Sequence, residues 1–142
     1  MTSKEFLPLA ILNSAEEGRV EGRTRFQKLI FLIQNDFNVP EKFDYIPYDY
    51  GPFSKELCEE IERLERQGFV KRRQEQIPNG KKYLYNLTDE GRAHFQQLED
   101  SEPEEAKEAA ETVEQTFNDV PISRLLEYVY NNYPDYAEES VL

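Results

Sequence analysis

The sequence predicts a mainly α-helical fold that carries one small β-hairpin. Apolar residues recur at spacings of three and four along most of the 142 residues, which is the pattern of amphipathic helices. Residues 70–87 differ, because two runs with strand character flank the tripeptide Pro78-Asn79-Gly80. An Asn-Gly pair tolerates the positive φ of a tight hairpin turn, so this segment is predicted to fold back on itself. Hydrophobic residues make up 38% of the chain, enough for the core of one compact domain.

Two helices are predicted before the hairpin. Residues 7–12 are almost wholly apolar, and Gly18 is expected to end the helix that they form. Thr24 is a favourable N-cap for the second helix, and Pro40 is expected to stop it. Apolar residues lie nearly all round this second helix, so we expect it to be the central and most buried one.

A short extended segment and a third helix come next. Aromatic and polar residues alternate over residues 43–50, and Pro47 favours an edge or loop position. Ser54 is predicted to cap the third helix, and Gly68 is expected to end it. The buried stripe of this helix is predicted to comprise Leu57, Ile61 and Leu64.

Three more helices are predicted after the hairpin. Thr88 is a favourable N-cap for the fourth helix, and the acids in its first turn suit the helix dipole. Ser101 and Glu104 have capping-box spacing, which predicts the start of a fifth helix. Pro121 is expected to open a sixth helix, which carries an apolar stripe over residues 122–133.

The predicted order of elements is that of a winged helix-turn-helix domain, in which the hairpin is the wing. We therefore predict a winged-helix domain over residues 1–98 and a C-terminal helical pair over residues 99–142. The apolar stripe of the sixth helix must be buried, either on the main domain or against a second copy of the chain.

The net charge of −12 is unevenly distributed. Residues 1–98 hold 16 acids and 15 bases, whereas residues 99–142 hold 13 acids and only two bases. The C-terminal segment therefore repels nucleic acid phosphate. Its simplest interpretation is a solvated helical face.

Ten basic residues form the predicted nucleic-acid-binding set, here called the basic set. Five lie in the hairpin against a single acid, Glu75, and the turn brings them together as a possible phosphate clamp. Surface hairpins also carry lysines for solubility, which is the alternative interpretation. On the third helix each arginine follows a glutamate by four residues, so that helix is partly self-neutralised. The set comprises Arg23, Arg25, Lys28, Arg63, Arg66, Lys71, Arg72, Arg73, Lys81 and Lys82.

An aromatic cluster precedes the third helix. Tyrosines favour protein interfaces because they bury a large area and keep a polar end. The alternative is that these rings pack against the second helix and close the core. The cluster, here called the aromatic set, comprises Tyr45, Tyr48, Tyr50 and Phe53.

The residue types of common catalytic and metal sites are scarce. His94 is the single histidine and Cys58 the single cysteine, so no catalytic triad and no multi-cysteine metal site can be argued. We expect no enzyme activity, no metal and no cofactor. No apolar run approaches the roughly 20 residues that span a bilayer, and the first residues do not resemble a signal peptide. The cytoplasm is therefore the expected location.

Two motifs resemble known families. The segments "TRFQKLIFLIQ" and "YGPFSKEL" resemble the YwgA-like group of uncharacterised bacterial and archaeal proteins, and more distantly the Panacea (SocA-like antitoxin) domain. That resemblance is carried by Phe26, Gln27, Lys28, Leu29, Phe31, Tyr50, Gly51 and Pro52. The hairpin and the helix after it resemble winged-helix regulators of the PadR and MarR kind at Tyr85, Leu87, Thr88 and Gly91.

These resemblances imply two functions. The regulators are DNA-binding repressors that commonly dimerise through C-terminal helices, which implies a transcriptional regulator that binds double-stranded DNA and forms a homodimer through residues 99–142. Panacea domains resemble antitoxins that hold a partner protein, which implies a protein-binding module, either antitoxin-like or an adaptor. The hairpin favours the first function, whereas the self-paired third helix and the acidic segment favour the second. We expect the first.

Overall fold

The computed structural model describes residues 4–37, 39–40 and 42–141, and its elements are mainly helical, as predicted. They also form two small antiparallel sheets, where we predicted one hairpin. Residues 1–3, 38 and 41 of the predicted main domain and residue 142 of the predicted helical pair lie outside the described residues. In chain order the elements are α1 (Phe6–Ser14), β1 (Arg19–Glu21), α2 (Arg23–Asp36), β2 (Ile46–Tyr48), β3 (Gly51–Phe53), α3 (Lys55–Arg66), β4 (Val70–Ile77), β5 (Gly80–Leu87), α4 (Asp89–Glu99), α5 (Glu104–Phe117), α6 (Ile122–Asn132) and a 3₁₀ turn (Pro134–Ala137).

The predicted hairpin is confirmed. Strands β4 and β5 pair antiparallel from Val70 opposite Leu87 to Ile77 opposite Gly80. Strand β1 extends this sheet in the order β1–β5–β4. We did not predict β1, because its three residues offer only the buried Val20 as a sign of alternation.

The predicted extended segment is a second, shorter hairpin. Strands β2 and β3 pair antiparallel, with Pro47 opposite Pro52. Neither proline has an N–H to donate, so this ribbon depends on contacts with the rest of the chain. Gly51 has a φ of 91°, a conformation that other residues rarely adopt, and it allows the chain to enter β3.

Helices α1 and α2 share the centre of the core. Every residue from Phe6 to Leu12 is buried, including the proline in the first turn of α1. The run from Phe26 to Gln34 in α2 is also buried, which confirms its predicted central position. Helix α1 ends at Ser14, earlier than predicted, and Gly18 with a φ of 63° lies in the turn to β1.

Two of the predicted helix caps are confirmed. The side chain of Ser54 accepts a hydrogen bond from the amide of Leu57 at 3.1 Å. The side chain of Thr88 accepts one from the amide of Gly91 at 2.9 Å. Both caps satisfy first-turn donors that would otherwise lack a partner.

Two other predicted caps are wrong. Helix α2 begins one residue before Thr24, after Gly22, whose φ of 104° turns the chain out of β1. Ser101 does not cap α5, because its hydroxyl donates to the carbonyl of Leu98 and closes the end of α4 instead. Helix α5 begins after Pro103 without a side-chain cap.

The C-terminal helices pack on the rest of the chain. Helix α5 contacts α1 and α2, and helix α6 contacts α2. Their buried residues join the same core as α1 and α2, and they are Ala106, Ala109, Ala110, Val113, Leu125 and Val129. The apolar stripe that motivated the predicted homodimer is thus largely used within one chain, and dimerisation stays a prediction without that support.

Candidate nucleic-acid interface and the adjoining groove

The β4–β5 hairpin extends from the body of the protein. All residues from 71 to 81 are exposed. Alternation along the strands divides the five hairpin cations between two faces. The paired register places Lys71, Arg73 and Lys82 on one face, and Arg72 and Lys81 on the other.

Two of the five hairpin cations form ion pairs with carboxylates. The Arg72 Nε atom lies 3.3 Å from the Glu65 carboxylate on α3. The Lys82 ammonium lies 3.0 Å from the Glu21 carboxylate on β1. The other three form no ion pair with any described residue, and we call them the open cations: Lys71, Arg73 and Lys81.

The basic residues at the start of α2 have separate roles. The Arg23 guanidinium lies 4.5 Å from the centre of the Tyr83 ring, in cation–π contact. Arg25 donates hydrogen bonds to the carbonyls of Phe117 at 2.9 Å and Val120 at 2.6 Å. Arg25 therefore satisfies carbonyls at and just beyond the end of α5, and it is less free to contact phosphate than we predicted.

Lys28 is not at the surface. Its side chain is 3% exposed, and its ammonium donates to the Pro52 carbonyl at 3.0 Å. Burial lowers the pKa of Lys28 to about 8. The sequence carried a signal for this burial, because Lys28 lies in a helix with apolar residues nearly all round it. We instead interpreted Lys28 as one of several cations near the start of that helix.

Arg63 on α3 forms ion pairs with two acids, and neither is Glu59, its predicted partner. It is hydrogen-bonded to Glu60, one residue along from the Glu59 that we expected, and to Glu5 at 2.9 Å. Glu5 also lies 3.0 Å from the His94 Nε2 atom. This network joins the residue just before α1 to α3 and α4, so its role is to hold the fold together.

The exposed face of α3 has no excess of positive charge. Its fully exposed charged residues are Lys55, Glu59, Glu62 and Arg66. Arg66 forms no ion pair with a described residue and is the α3 arginine that can still reach a ligand. Base recognition in the major groove relies on free donors, so this face offers little of it.

The aromatic set divides into a half-buried part, Tyr45 and Phe53, and an exposed part, Tyr48 and Tyr50. The Tyr45 hydroxyl donates to the Gln27 carbonyl at 3.0 Å, and burial raises the pKa of this tyrosine. Tyr48 and Tyr50 are 52% and 46% exposed, and Phe53 stacks on Tyr48. The predicted partner surface is therefore reduced to the tip of the β2–β3 hairpin.

A broad groove brings the two predicted sets together. Its volume is about 1350 Å³, and it lies where the start of α2 meets both hairpins and the end of α5. Members of the basic set and of the aromatic set line it, including Arg23, Lys28, Lys81, Tyr48 and Tyr50. Sequence reasoning placed these residues in alternative functional sites, because nothing local indicated that the two hairpins share a groove.

The remaining chemistry is limited. The Cys58 thiol lies 3.2 Å from the Gln27 amide nitrogen, and burial raises its pKa, which disfavours the reactive thiolate. Among the described residues, no three histidine, cysteine or carboxylate side chains are arranged to hold a metal ion. No helix in the described part of the chain is long and apolar enough to cross a membrane.

Comparison with known proteins identifies one informative similarity. No family model matches the chain. The uncharacterised protein YwgA of Bacillus subtilis (strain 168) is 35% identical over 80 residues, which are 56% of this chain and 47% of YwgA. The chain thus spans about half the length of this curated relative. This similarity supports the resemblance to the YwgA-like group.

Proposed function

We propose that this chain is a winged-helix protein that binds double-stranded DNA through phosphate contacts made by the β4–β5 hairpin. Two features support the winged-helix assignment. One is the order helix, strand, helix, short β2–β3 hairpin, helix, hairpin, and the other is the sheet order β1–β5–β4. The observation that carries the proposal is the exposed hairpin with its three open cations.

The contacts are to the DNA backbone more than to bases. The open cations are free to neutralise phosphates, whereas Arg63 is already bonded to two carboxylates. The resemblance to PadR and MarR regulators supports a role in transcription. Sequence preference then comes from Arg66, from DNA shape or from another molecule.

The acidic segment lowers the affinity for DNA. Residues 99–142 carry 13 acids and two bases, and their field opposes the approach of a polyanion. Salt screens this repulsion and also weakens the phosphate contacts. We therefore expect weak binding that is detectable at low ionic strength.

Fluorescence anisotropy of labelled duplex DNA tests the proposal. We expect Lys71→Ala/Arg73→Ala to weaken binding by about tenfold or more, since each lost phosphate contact removes a counterion-release term. The matched control is Lys107→Ala/Arg124→Ala, which removes the same charge from α5 and α6 and leaves the hairpin intact. Equal affinity of the wild type and the hairpin variant would contradict the proposal.

A protein-binding function is the second candidate. Three apolar or aromatic side chains at the β2–β3 hairpin are exposed: Ile46 at 58%, Tyr48 at 52% and Tyr50 at 46%. If the wild type does not bind DNA at low salt, this function replaces the first. Tyr48→Ser/Tyr50→Ser would then abolish retention of a co-purifying partner that Lys71→Ala/Arg73→Ala still retains.

A further inference from the structure

Acidic and basic side chains both line the groove. Its carboxylates are Glu16, Glu17, Glu21, Glu114 and Asp119. Glu17 and Glu21 form ion pairs with Arg19, and Glu21 also pairs with Lys82. Lys28 and Arg23 line the groove too, and no carboxylate of a described residue lies within ion-pair distance of either. The part of the groove around these two residues therefore carries positive charge without a direct carboxylate partner.

The hydrogen bonding of Lys28 is incomplete. An ammonium has three donors, and among the described residues only the Pro52 carbonyl accepts from it. A buried donor without an acceptor is costly. The backbone at Gly51 passes near the lysine stem, since a Cβ added there would lie 3.7 Å from the Lys28 Cε atom. This packing holds the ammonium at the wall of the groove.

The first turn of α2 lies beside this lysine. Residues 22–25 line the same groove, and no side chain caps the helix. The free N–H groups of a helix N-terminus carry partial positive charge and favour anions. This contribution adds to the uncompensated charge of Lys28, which is the observation on which the inference rests.

We propose that this part of the groove binds the anionic group of a ligand, a carboxylate or a phosphate, with Lys28 as its principal contact. Tyr48 and Tyr50 line the groove and contact the body of the ligand. A volume of about 1350 Å³ accepts a ligand of nucleotide or dipeptide size. The site adjoins the proposed DNA contact at Lys81, which lines the groove, but its principal contact differs, because the open cations Lys71 and Arg73 do not line the groove.

Binding of four probes, followed by amide NMR shifts, tests this inference. The probes are inorganic phosphate, AMP, N-acetyltyrosine and N-acetyltyrosinamide, the last being the uncharged match of the third. We expect at least one anionic probe to bind with a dissociation constant below about 1 mM and to shift the amides of residues 22–25. Comparing the dissociation constants of phosphate and AMP with that of N-acetyltyrosine distinguishes a phosphate ligand from a carboxylate ligand. Absence of saturable binding, or equal binding of the uncharged amide, would overturn the proposal.

A pair of lysine variants locates the contact. Lys28→Met should weaken binding of the best anionic probe by about tenfold or more, whereas Lys55→Met, the same substitution at an exposed lysine of α3 outside the groove, should not. Wild-type binding should also weaken as pH rises through about 8, because Lys28 loses its charge there. Unchanged affinity in Lys28→Met, or binding that does not depend on pH, would contradict the proposal. Lys28 would then be a buried lysine that does not contact the ligand.

The two proposals fail separately. Lys28→Met is expected to retain DNA binding, because its side chain is buried away from the hairpin cations. Lys71→Ala/Arg73→Ala is expected to retain anionic probe binding. Loss of both activities in both variants would indicate unfolding, which a circular dichroism spectrum of each variant detects, and folded variants that behave so would overturn the separate site.

Discussion

The two hairpins of this protein differ in what holds them and in what they offer. The β4–β5 hairpin pairs eight residues with eight, carries five cations and is exposed from 71 to 81. The β2–β3 hairpin pairs three residues with three and lies against α2 through buried hydrogen bonds. The base of the first is held by β1 and by the core, whereas its exposed part depends on its own ladder and turn. The second is held along its length by contacts with α2. The cations thus lie on the part of a hairpin that extends from the body, and the aromatic surface lies on a hairpin that packs against the body.

The largest expected effect is at the base of the β4–β5 hairpin. A Cβ added at Gly91 would lie 2.1 Å from the Phe69 carbonyl oxygen, so the first turn of α4 must move away from the chain that enters β4. We expect Gly91→Ala to reduce the free energy of unfolding by about 4 kcal/mol, measured by urea denaturation. Gln96→Ala, at an exposed position of the same helix, is the control. A loss below about 1 kcal/mol in Gly91→Ala would show that α4 is free to shift.

The buried lysine beneath the β2–β3 hairpin predicts a pH-dependent stability. Burial lowers the pKa of folded Lys28 to about 8, against 10.5 for the ordinary side chain. Between these values the unfolded chain binds more protons, so the free energy of unfolding rises with pH. Relative to Lys28→Met, the wild type should gain roughly 3 kcal/mol between pH 8 and 10.5. Parallel pH profiles of the two proteins would show that Lys28 keeps its ordinary pKa.

A smaller effect is expected where Gln27 holds the start of α3 beside β3. Its side-chain amide donates to the Ser54 carbonyl at 2.9 Å and accepts from the Ser54 amide at 2.8 Å. Gln27→Met leaves the buried Ser54 amide without an acceptor, whereas the Ser54 carbonyl still accepts from the Cys58 amide at 3.3 Å. We expect this variant to reduce the free energy of unfolding by about 2 kcal/mol. Faster hydrogen exchange of the Ser54 amide should accompany the loss. Gln97→Met, at an exposed position of α4, is the control. Unchanged exchange in Gln27→Met would mean that water replaces the glutamine.

The smallest effect is expected at the exposed part of the β4–β5 hairpin. Lys71 and Arg73 have no ion pair with a described residue and contact solvent. Their double substitution by alanine should change the free energy of unfolding by less than about 0.5 kcal/mol, although it impairs DNA binding. A decrease of about 2 kcal/mol in the free energy of unfolding would show that these two side chains stabilise the β4–β5 hairpin. The exposed part of that hairpin would then depend on its side chains as well as on its ladder and turn.

The features predicted correctly from sequence depend on local chemistry. The turn at Asn79-Gly80 and the caps at Ser54 and Thr88 need only a few adjacent residues. The features missed depend on distant partners. Arg25 contacts the end of α5, more than 90 residues away in sequence, and the charge pattern near α2 did not indicate this.

The candidate sites were predicted least well, for the same reason. The spacing of Glu59 and Arg63 indicated a pair on one helix, but the arginine pairs with Glu60 and with Glu5, the residue just before α1. The burial of Lys28 follows from the β2–β3 hairpin folding over it. Sequence identified the residue types of both candidate sites, and only the assembled fold distinguishes the open cations from the engaged ones.

The salt dependence of DNA binding tests the central claim most directly. Each phosphate contact contributes about 0.9 to the slope of log affinity against log salt concentration, so three open cations predict a wild-type slope of about −2.7. Lys71→Ala/Arg73→Ala should reduce that slope by about 1.8, and Lys107→Ala/Arg124→Ala should leave it unchanged. The same slope for the wild type and the hairpin variant would contradict the account, because phosphate contact would then lie elsewhere.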